Sequence, residues 1–284
     1  MDIRNRINQA KNLTPADQAI ANAVLTLRDS IDSCTLDDLA RISHTSTAAV
    51  SRFCNRLGLK GFRAFKVEAA RSYARSKSSD DIDVNYPFYK DDTPRIISEG
   101  MKALYDVTIA DTMGEFDFGE LLSAARLINQ ARNVIIFTHS HNLFVASTFH
   151  ERLMRIGHMA SVPKAEEEQR IVAAASDRDT VAIAISYSGR ATFLPGVLKK
   201  LRAQKVPVVF ISTREGAALH PDLDRYLLLG NKEDAQARIS QFASHIALQY
   251  TMDVLYGCIF TLDYDKNLAF LHEDDPYVDD RPFV

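Results

Sequence analysis

The stretch TVAIAISYSGRATF, residues 180–193, decides the fold of the larger part of this chain. Its first six residues are apolar or β-branched, without the polar alternation of a strand that has one face in water, so they predict a strand buried on both faces. The next residues bring two serines, a glycine and an arginine into one short turn, which is typical of the loop beyond the carboxyl end of a buried strand. The stretch therefore predicts an α/β fold with a polar loop at one edge of its sheet.

Further apolar runs lie on both sides of this strand, and segments with helical periodicity separate them. The runs are NVIIF (133–137), HMASV (158–162), VPVVFIS (206–212) and RYLLL (225–229). Continuously apolar strands separated by helices are typical of a mostly parallel sheet with helices on both faces, so we expect a three-layer α/β domain. Helices are also expected before the first run and after the last run, at about 95–112, 118–131 and 235–261.

A polar stretch, SKSSDDIDVNYPFYKDDTP at 76–94, separates this part from the N-terminal part. Its serines, aspartates and prolines break both helical and strand periodicity, so we interpret 78–94 as an interdomain linker. The alternative is a long surface loop within one domain. The expected organisation is an N-terminal domain at 1–77, the linker, an α/β domain at 95–264 and an acidic C-terminal tail at 265–284.

Residues 1–77 predict an all-α domain. Thr14 and Pro15 have the character of a helix cap and a first-turn proline, and apolar residues then share one helical face: Ile20, Val24, Leu27 and Ile31. Two short helices are expected after the caps Thr35 and Ser46, and a fourth helix completes the domain. The turn ISHTS joins the two short helices, which is the helix-turn-helix plan of DNA-binding domains.

The charge of the chain is divided unevenly. Residues 1–77 carry 13 Lys and Arg against 7 Asp and Glu, whereas the rest carries 21 against 30. A basic domain in a chain whose remainder is acidic indicates that this domain contacts a phosphate backbone. If the third helix buries Val50, Phe53 and Leu57, its outward residues are candidates for reading base edges: Thr47, Ala48, Ser51, Arg52 and Asn55. Candidates for holding phosphates are Ser46, Lys60, Arg63 and Lys66. The alternative is a solvated charged face on a helical dimerisation domain.

The stretch LDDLARISHTSTAAVSRFCNRLGLKGFRAFK, residues 36–66, is similar to the signature of the RpiR family of bacterial transcription regulators. The resemblance includes the pair Arg52-Phe53 and the segment Leu-Gly-x-x-Gly-Phe at 57–62. It implies a helix-turn-helix domain that binds operator DNA. His44 stands where the family usually has a turn glycine, and Ala49 where threonine is common, so the operator sequence is not implied.

The polar loop after residue 185 has the composition of a phosphate site. Ser186 and Ser188 supply hydroxyl groups, Gly189 lets the backbone approach a ligand, and a helix expected to start near Thr192 would direct its positive end at an anion. Arg190 adds a positive charge. The alternative is a serine-capped turn without a ligand.

This loop also resembles the Ser-x-Ser-Gly-x-Thr motif of the sugar isomerase (SIS) domain, a phosphosugar-binding module that RpiR regulators carry. Ser186, Ser188 and Gly189 match the motif, whereas its threonine falls on Ala191 and Thr192 is one residue late. Two further stretches resemble helices of the domain, ASTFHERLMRIG (146–157) and SHIALQYTMDVLY (244–256). The resemblance implies a phosphorylated sugar as the ligand.

The loop after the first strand departs from the SIS pattern. The domain typically has Gly-x-Gly-x-Ser there, whereas this chain has no glycine and offers instead the side chains of Ser140, His141 and Asn142. His245 occupies a position usually given to arginine, which makes a charge near the ligand pH-dependent, and Lys164 is a further candidate counter-charge. A metal site at His139, His141 and His150 is not expected, because no carboxylate has ligand spacing, and neither is a cofactor.

The sequence as a whole predicts a cytoplasmic transcription regulator rather than an enzyme. Its expected partners are operator DNA, a phosphorylated sugar effector and further copies of itself, as a homodimer or homotetramer. The N-terminus is polar and no apolar run approaches the roughly 20 residues of a membrane span. One alternative is a phosphosugar isomerase, for which Glu151 or Glu233 would be the base. Another is a DNA-binding protein whose SIS domain has become a dimerisation scaffold.

Overall fold

The computed structural model describes residues 3, 6–7, 10, 13–75, 82–90 and 92–278. These residues form two compact units. The first contains the described residues up to 83 together with 94–103, and the second contains 84–93 and the described residues from 104 onward. The domain limits expected from the sequence stay predictions, and the linker prediction falls partly on residues outside the described ranges.

The first unit is helical, as predicted. Its elements are α1 (Pro15–Leu27), a short 3₁₀ segment (Arg28–Asp32), α2 (Leu36–Ile42), α3 (Thr47–Arg56) and α4 (Gly61–Arg75). Its core contains the apolar residues expected to face inward, among them Ile20, Val24, Ile31, Leu39, Val50, Phe53, Leu57, Phe65 and Ala69. The helix-turn-helix pair is therefore held by packing on α1 and α4.

Side-chain caps fix the starts of the two short helices. Thr35 forms a capping box with Asp38, in which the Thr35 hydroxyl accepts from Asp38 N and the Asp38 carboxylate accepts from Thr35 N. Hydrogen bonds from Thr35 and then from Arg41 lower the pKa of Asp38 to about 2. The Ser46 hydroxyl accepts from Ala49 N at 3.2 Å and caps α3. Each of the two short helices thus begins at a side-chain cap, and Ser46 marks the end of the turn between them.

The second unit is a three-layer α/β fold with a parallel sheet. In the described residues the strand order is β2-β1-β3-β4-β5 and all pairs are parallel. The strands are β1 (Asn133–Phe137), β2 (Ala160–Ser161), β3 (Thr180–Ile185), β4 (Val208–Thr213) and β5 (Arg225–Leu229). Every residue of β3 and β4 is buried, which explains their continuous apolar sequences.

Helices cover both faces of this sheet. They are α5 (Pro94–Gly114), whose residues up to 103 belong to the first unit, α6 (Phe118–Gln130), α7 (Asn142–Met154), α8 (Glu166–Ala175), α9 (Leu194–Ala203), α10 (Arg214–Ala218), α11 (Phe242–Leu262) and α12 (Tyr264–Val278). Alternate strand residues enter two separate cores. Ile183 packs in the core that includes α6, α7 and α11, and Ala184 packs in the core that includes α9.

Several element boundaries differ from the prediction. Only Ala160–Ser161 of the run HMASV is strand, and α9 begins at Leu194 rather than near Thr192, with a proline in its first turn. The helix expected from about 235 begins at Phe242, and the segment before it forms a loop in which Glu233 binds Ser244 N and Arg238. The expected acidic tail at 265–284 is helical in α12 as far as residue 278. None of the helices in the described ranges is long and apolar enough to cross a membrane.

The aromatic part of the expected linker packs within the second unit. Val84 and Pro87 are buried, and the rings of Phe88 and Phe242 meet edge to face at 6.1 Å. Asn85 accepts hydrogen bonds from Asp234 N at 2.7 Å and from Ile239 N at 3.0 Å. This segment is therefore a packed part of the α/β unit, because its apolar side chains gain burial there.

Candidate DNA interface and ligand site

The outward face of α3 carries the side chains expected to read bases. Thr47, Ala48, Arg52 and Asn55 are exposed and Ser51 is half-buried, whereas Val50 and Phe53 on the opposite face are fully buried. The helix thus presents a polar face with a hydroxyl, an amide and a guanidinium, which are groups that can contact base edges in a major groove. Their role in DNA binding stays a prediction.

The candidate phosphate contacts lie around this helix. Ser46 is exposed at the start of α3, Lys60 and Arg63 are exposed near the start of α4, and Lys66 is half-buried. Ser46 lies at the start of α3, and the other three lie just before or within the first turns of α4, so they can hold a backbone beside the recognition helix. The side chains of the later basic residues of α4, and the whole of Lys77, lie outside the described part of the chain.

Arg56, by contrast, has a structural role. It forms an ion pair with the buried Asp17, which also accepts hydrogen bonds from the amide and hydroxyl groups of Thr14. Burial acts to raise the pKa of Asp17, but the hydrogen bonds from Thr14 and the charge of Arg56 outweigh it and lower that pKa. The pair ties α3 to the start of α1, so not every charge in the basic stretch is available to DNA.

The candidate ligand site lies at the carboxyl edge of the sheet. β1 has β2 on one side and β3 on the other, so the chain leaves β1 and β3 in opposite directions and a crevice forms between their following loops. The loop after β1 covers residues 138–141, and the loop after β3, which we name the serine loop, covers residues 186–193. The structure thus brings together the two segments that the sequence nominated separately.

Two glycines shape the serine loop. Gly189 has φ +68°, and a Cβ added to it would lie 2.4 Å from Gly216 O. A Cβ added to Gly216 would lie 2.1 Å from Ser212 Oγ and 2.8 Å from Gly189 N. The two backbones can approach this closely only because both residues are glycine.

Three groups beyond the loop hold it in place. Ser212 Oγ donates to Ser186 O at 2.7 Å, Thr213 N donates to Tyr187 O at 3.1 Å, and a ring nitrogen of His220 lies 2.6 Å from Gly189 O. The sequence analysis missed Ser212, Gly216 and His220. A signal was present, because the apolar run of β4 ends in a serine and a threonine, and a glycine follows three residues later.

The predicted residues of the serine loop differ in their surroundings. Ser186 is buried at the end of β3, whereas Ser188 and Arg190 are exposed, and Ser188 Oγ accepts from Arg190 N at 3.4 Å. Thr192 is exposed and its hydroxyl donates to Glu166 Oε1 at 2.8 Å. Because α9 begins only at Leu194, Thr192 does not cap that helix. Ser186, Ser188 and Gly189 therefore form the compact part of the loop.

The loop after β1 brings histidines into the site. Ser140 is exposed with φ +57°, His141 is the N-cap of α7 without a side-chain capping bond, and Asn142 is buried at the start of α7. Burial, and then the positive charges of His245, Arg238 and His139, lower the pKa of His141. Arg238 was not nominated from the sequence, because its segment was expected to be helical.

The carboxylates nominated as isomerase bases have other partners. Glu233 is buried, accepts from Ser244 N at 2.9 Å and Ser244 Oγ at 2.8 Å, and forms an ion pair with Arg238. Glu151 is exposed and lies 3.6 Å from the Arg155 guanidinium. Lys164 is exposed at the start of α8. In the part of the chain that the structure describes, no three histidine, cysteine or acidic side chains are arranged to hold a metal ion.

Comparison with known proteins supports the two-part organisation. Residues 1–76 match the helix-turn-helix domain of the rpiR family, and residues 127–255 match the SIS domain. An HTH-type transcriptional regulator of Haemophilus influenzae is 22% identical over 259 residues, which cover 91% of this chain and 90% of the relative. With 91% of this chain covered, the match extends over both regions.

Two solved structures share the fold. The Vibrio vulnificus NanR protein complexed with ManNAc-6P has a TM-score of 0.58 at 19% identity, with 98% of each chain covered. The sugar isomerase domain of an RpiR transcription factor from Sphaerobacter thermophilus has a TM-score of 0.55 at 16% identity, covering 62% of this chain and 96% of that one. The resemblance noted in the sequence is confirmed: the chain is an HTH-type transcriptional regulator of the RpiR family with a SIS domain.

Proposed function

We propose that this regulator controls genes of carbohydrate metabolism by binding operator DNA through α3 and by changing its operator affinity when a phosphorylated sugar occupies the SIS domain. The observation that carries the proposal is the Gly189–Gly216 contact, which holds Ser186 and Ser188 at the carboxyl edge of the sheet. The proposal is further supported by NanR, a protein of the same fold that was solved with the phosphosugar ManNAc-6P.

The serine loop has the chemistry that a phosphate monoester needs. In the described residues, no hydrogen bond from another side chain occupies the hydroxyl of Ser186, and Ser188 Oγ is approached only at 3.4 Å by Arg190 N. Both hydroxyls can therefore donate to phosphate oxygens. Arg190 is exposed beside them and adds a positive charge, which strengthens such hydrogen bonds.

Coupling between ligand and operator requires two arrangements of the protein with different affinities for the ligand. We place these two arrangements in a homo-oligomer, a dimer or a tetramer of two dimers. A two-fold dimer would present two copies of α3 to half-sites spaced by whole turns of DNA. A ligand that favours one arrangement would move the two copies of α3 into or out of that spacing.

A titration of operator DNA tests this proposal directly. Operator fragments selected from random DNA are titrated with the full-length protein, alone and with millimolar hexose, amino sugar, N-acetyl sugar and pentose phosphates. We expect one phosphosugar class to change the operator Kd by at least about fivefold, the lower end of ordinary allosteric coupling. Each unphosphorylated parent sugar serves as the matched control. An operator Kd that no phosphosugar changes would contradict the proposed effector control.

A second candidate function has its own observation. The loop after β1 lacks the glycines of the SIS pattern, and Thr192, the nearest substitute for the motif threonine, already binds Glu166. A domain altered in this way could serve as a dimerisation scaffold alone. Thermal unfolding distinguishes the two functions, because a ligand that binds the folded state raises the melting temperature and a scaffold shows no shift.

A further inference from the structure

A group of three histidines and one arginine lies at the carboxyl edge of the sheet, next to the serine loop. His139 and His141 follow β1, His245 lies in the first turn of α11, and Arg238 lies in the loop before α11. The charges of His245, Arg238 and His139 all act on His141. We name these four residues the histidine cluster. Two segments that are distant in sequence, 139–141 and 238–245, thus converge on one place.

Among the described residues, neither ring nitrogen of His141 has a hydrogen-bond partner. Within the described ranges, its Nδ1 and Nε2 atoms are buried from solvent without a hydrogen bond, and so is Nδ1 of His139. A buried N–H group without an acceptor is unfavourable, and native proteins rarely leave such groups without a reason. A ligand atom that accepts a hydrogen bond would supply the missing partner.

The charge of the cluster selects the kind of acceptor. The carboxylate beside Arg238 is that of Glu233, and it is already bound to both the amide and the hydroxyl of Ser244. Burial and the neighbouring positive charges lower the pKa of His141, so this side chain resists taking up a proton in the free protein. An anionic group would offset this repulsion, and one oxygen of a carboxylate can accept a hydrogen bond from an N–H of His141 while the other oxygen remains free for an N–H of a neighbouring side chain.

We propose that the histidine cluster is a second anion subsite and that the effector is a phosphorylated sugar acid, with its phosphate at the serine loop and its carboxylate at the cluster. This inference rests on the proposed function, because it requires a phosphosugar at the serine loop. The geometry allows one ligand to reach both places. β1 and β3 are adjacent, with Phe137 paired to Ala184, and the ring of His139 lies 5.5 Å from that of Phe193 at the end of the serine loop.

Proton uptake from the solvent is the signature of this subsite. The pKa of His141 is lowered in the free protein, and we expect a bound carboxylate to raise it, because a nearby negative charge favours the protonated imidazole. The bound state therefore holds more protons than the free state, and the affinity for the acid increases as the pH falls from 8 to 6. The phosphate ester of a sugar without a carboxylate should show a weaker dependence of affinity on pH, because its hydroxyl groups bring no negative charge to the cluster.

The test is isothermal titration calorimetry of the full-length protein with two matched pairs of probes. One pair is 6-phosphogluconate and glucose 6-phosphate, and the other is 3-phosphoglycerate and glycerol 3-phosphate; each pair differs in a carboxylate. We expect the acid to bind about tenfold more tightly than its partner at pH 6, and less than about threefold at pH 8. Titration in two buffers of different ionisation enthalpy should show net proton uptake with the acid.

Two variants assign the effect to the cluster. His141→Gln should reduce the preference at pH 6 to less than about threefold, whereas His272→Gln, an exposed histidine on α12, should keep the tenfold preference. If His141→Gln does not fold, the preference and proton uptake of the unchanged protein decide the matter. Equal binding of both members of each pair at pH 6, or a preference that persists in His141→Gln, overturns the subsite and leaves the proposed function standing.

The same titrations separate this inference from the proposed function. Acid binding with the expected pH dependence but without any effect on operator affinity supports the subsite and contradicts the effector control. Absence of binding by both members of both pairs at millimolar concentration overturns the subsite, and the operator titrations with the other phosphosugar classes then decide the proposed function separately.

Discussion

At the scale of single residues, His44 holds the turn between α2 and α3 in a conformation that is unusual for its type. Its φ is +51°, in the left-handed region where the Cβ of an ordinary residue crowds the backbone at a cost of roughly 1–2 kcal/mol. The turn requires this conformation, because Thr45 N folds back to donate to Ala40 O at 2.8 Å. A glycine would fit the position without strain, which explains the glycine that the family usually has there.

His44→Gly should raise the free energy of unfolding by about 0.5–1 kcal/mol, because the strain removed exceeds the entropy that a glycine adds to the unfolded chain. His44→Ala is the matched control and should give no gain, since alanine keeps the Cβ. Urea unfolding of the three proteins measures the difference. A midpoint for His44→Gly at or below that of the unchanged protein would show that this turn is not strained.

At the scale of elements, the serine loop and α10 act as one unit because of their glycine contact. Gly216→Ala would place a Cβ 2.1 Å from Ser212 Oγ, which must then move away from Ser186 O. We expect a loss of about 1–3 kcal/mol of stability from this overpacking, together with weaker phosphosugar binding. Gly257→Ala on α11 is the control: no atom beyond its own helix lies within 4 Å of the added Cβ, so stability should rise by about 0.5–1 kcal/mol. Chemical denaturation and ligand titration of both variants check the contrast, and equal behaviour would mean that the loop tolerates the shift.

Elements whose information is local could be predicted from the sequence. The caps Thr35 and Ser46 begin helices as expected, and the continuous apolar runs of β3 and β4 lie in a parallel sheet. The start of α11 could not be predicted, because the segment before it has helix-compatible residues. Glu233 accepts from Ser244 N inside the first turn of α11 and pairs with Arg238, so the chain forms a loop there.

At the scale of the whole molecule, the site depends on contacts between distant segments, and sequence periodicity does not report these. Ser140, His141, Asn142 and His245 were nominated by position in a motif, yet the partner that adds a fixed charge is Arg238, which no motif contains. Likewise, the aromatic residues near Phe88 had the composition of a linker, but their ring contact with Phe242 belongs to the α/β unit. Composition indicates how polar a segment is and leaves open which surface it covers.

The proposal places DNA binding in the first unit and effector binding in the second. One substitution in each unit should therefore impair one of these functions and leave the other unchanged. Arg52→Ala should weaken operator binding by about 1–3 kcal/mol, the cost of losing one base contact. The melting temperature should fall only slightly, because Arg52 is exposed and its charge is a minor influence on the buried Asp17. Ser188→Ala should leave operator affinity in the absence of ligand unchanged but reduce the response to the effector, since a phosphate contact is lost. Arg178→Ala, at an exposed turn before β3, is the control and should change neither. Fluorescence anisotropy of labelled operator, with and without ligand, reads both effects. Unchanged affinity in Arg52→Ala would remove α3 from its assigned role, and a full response in Ser188→Ala would place the effector away from the serine loop.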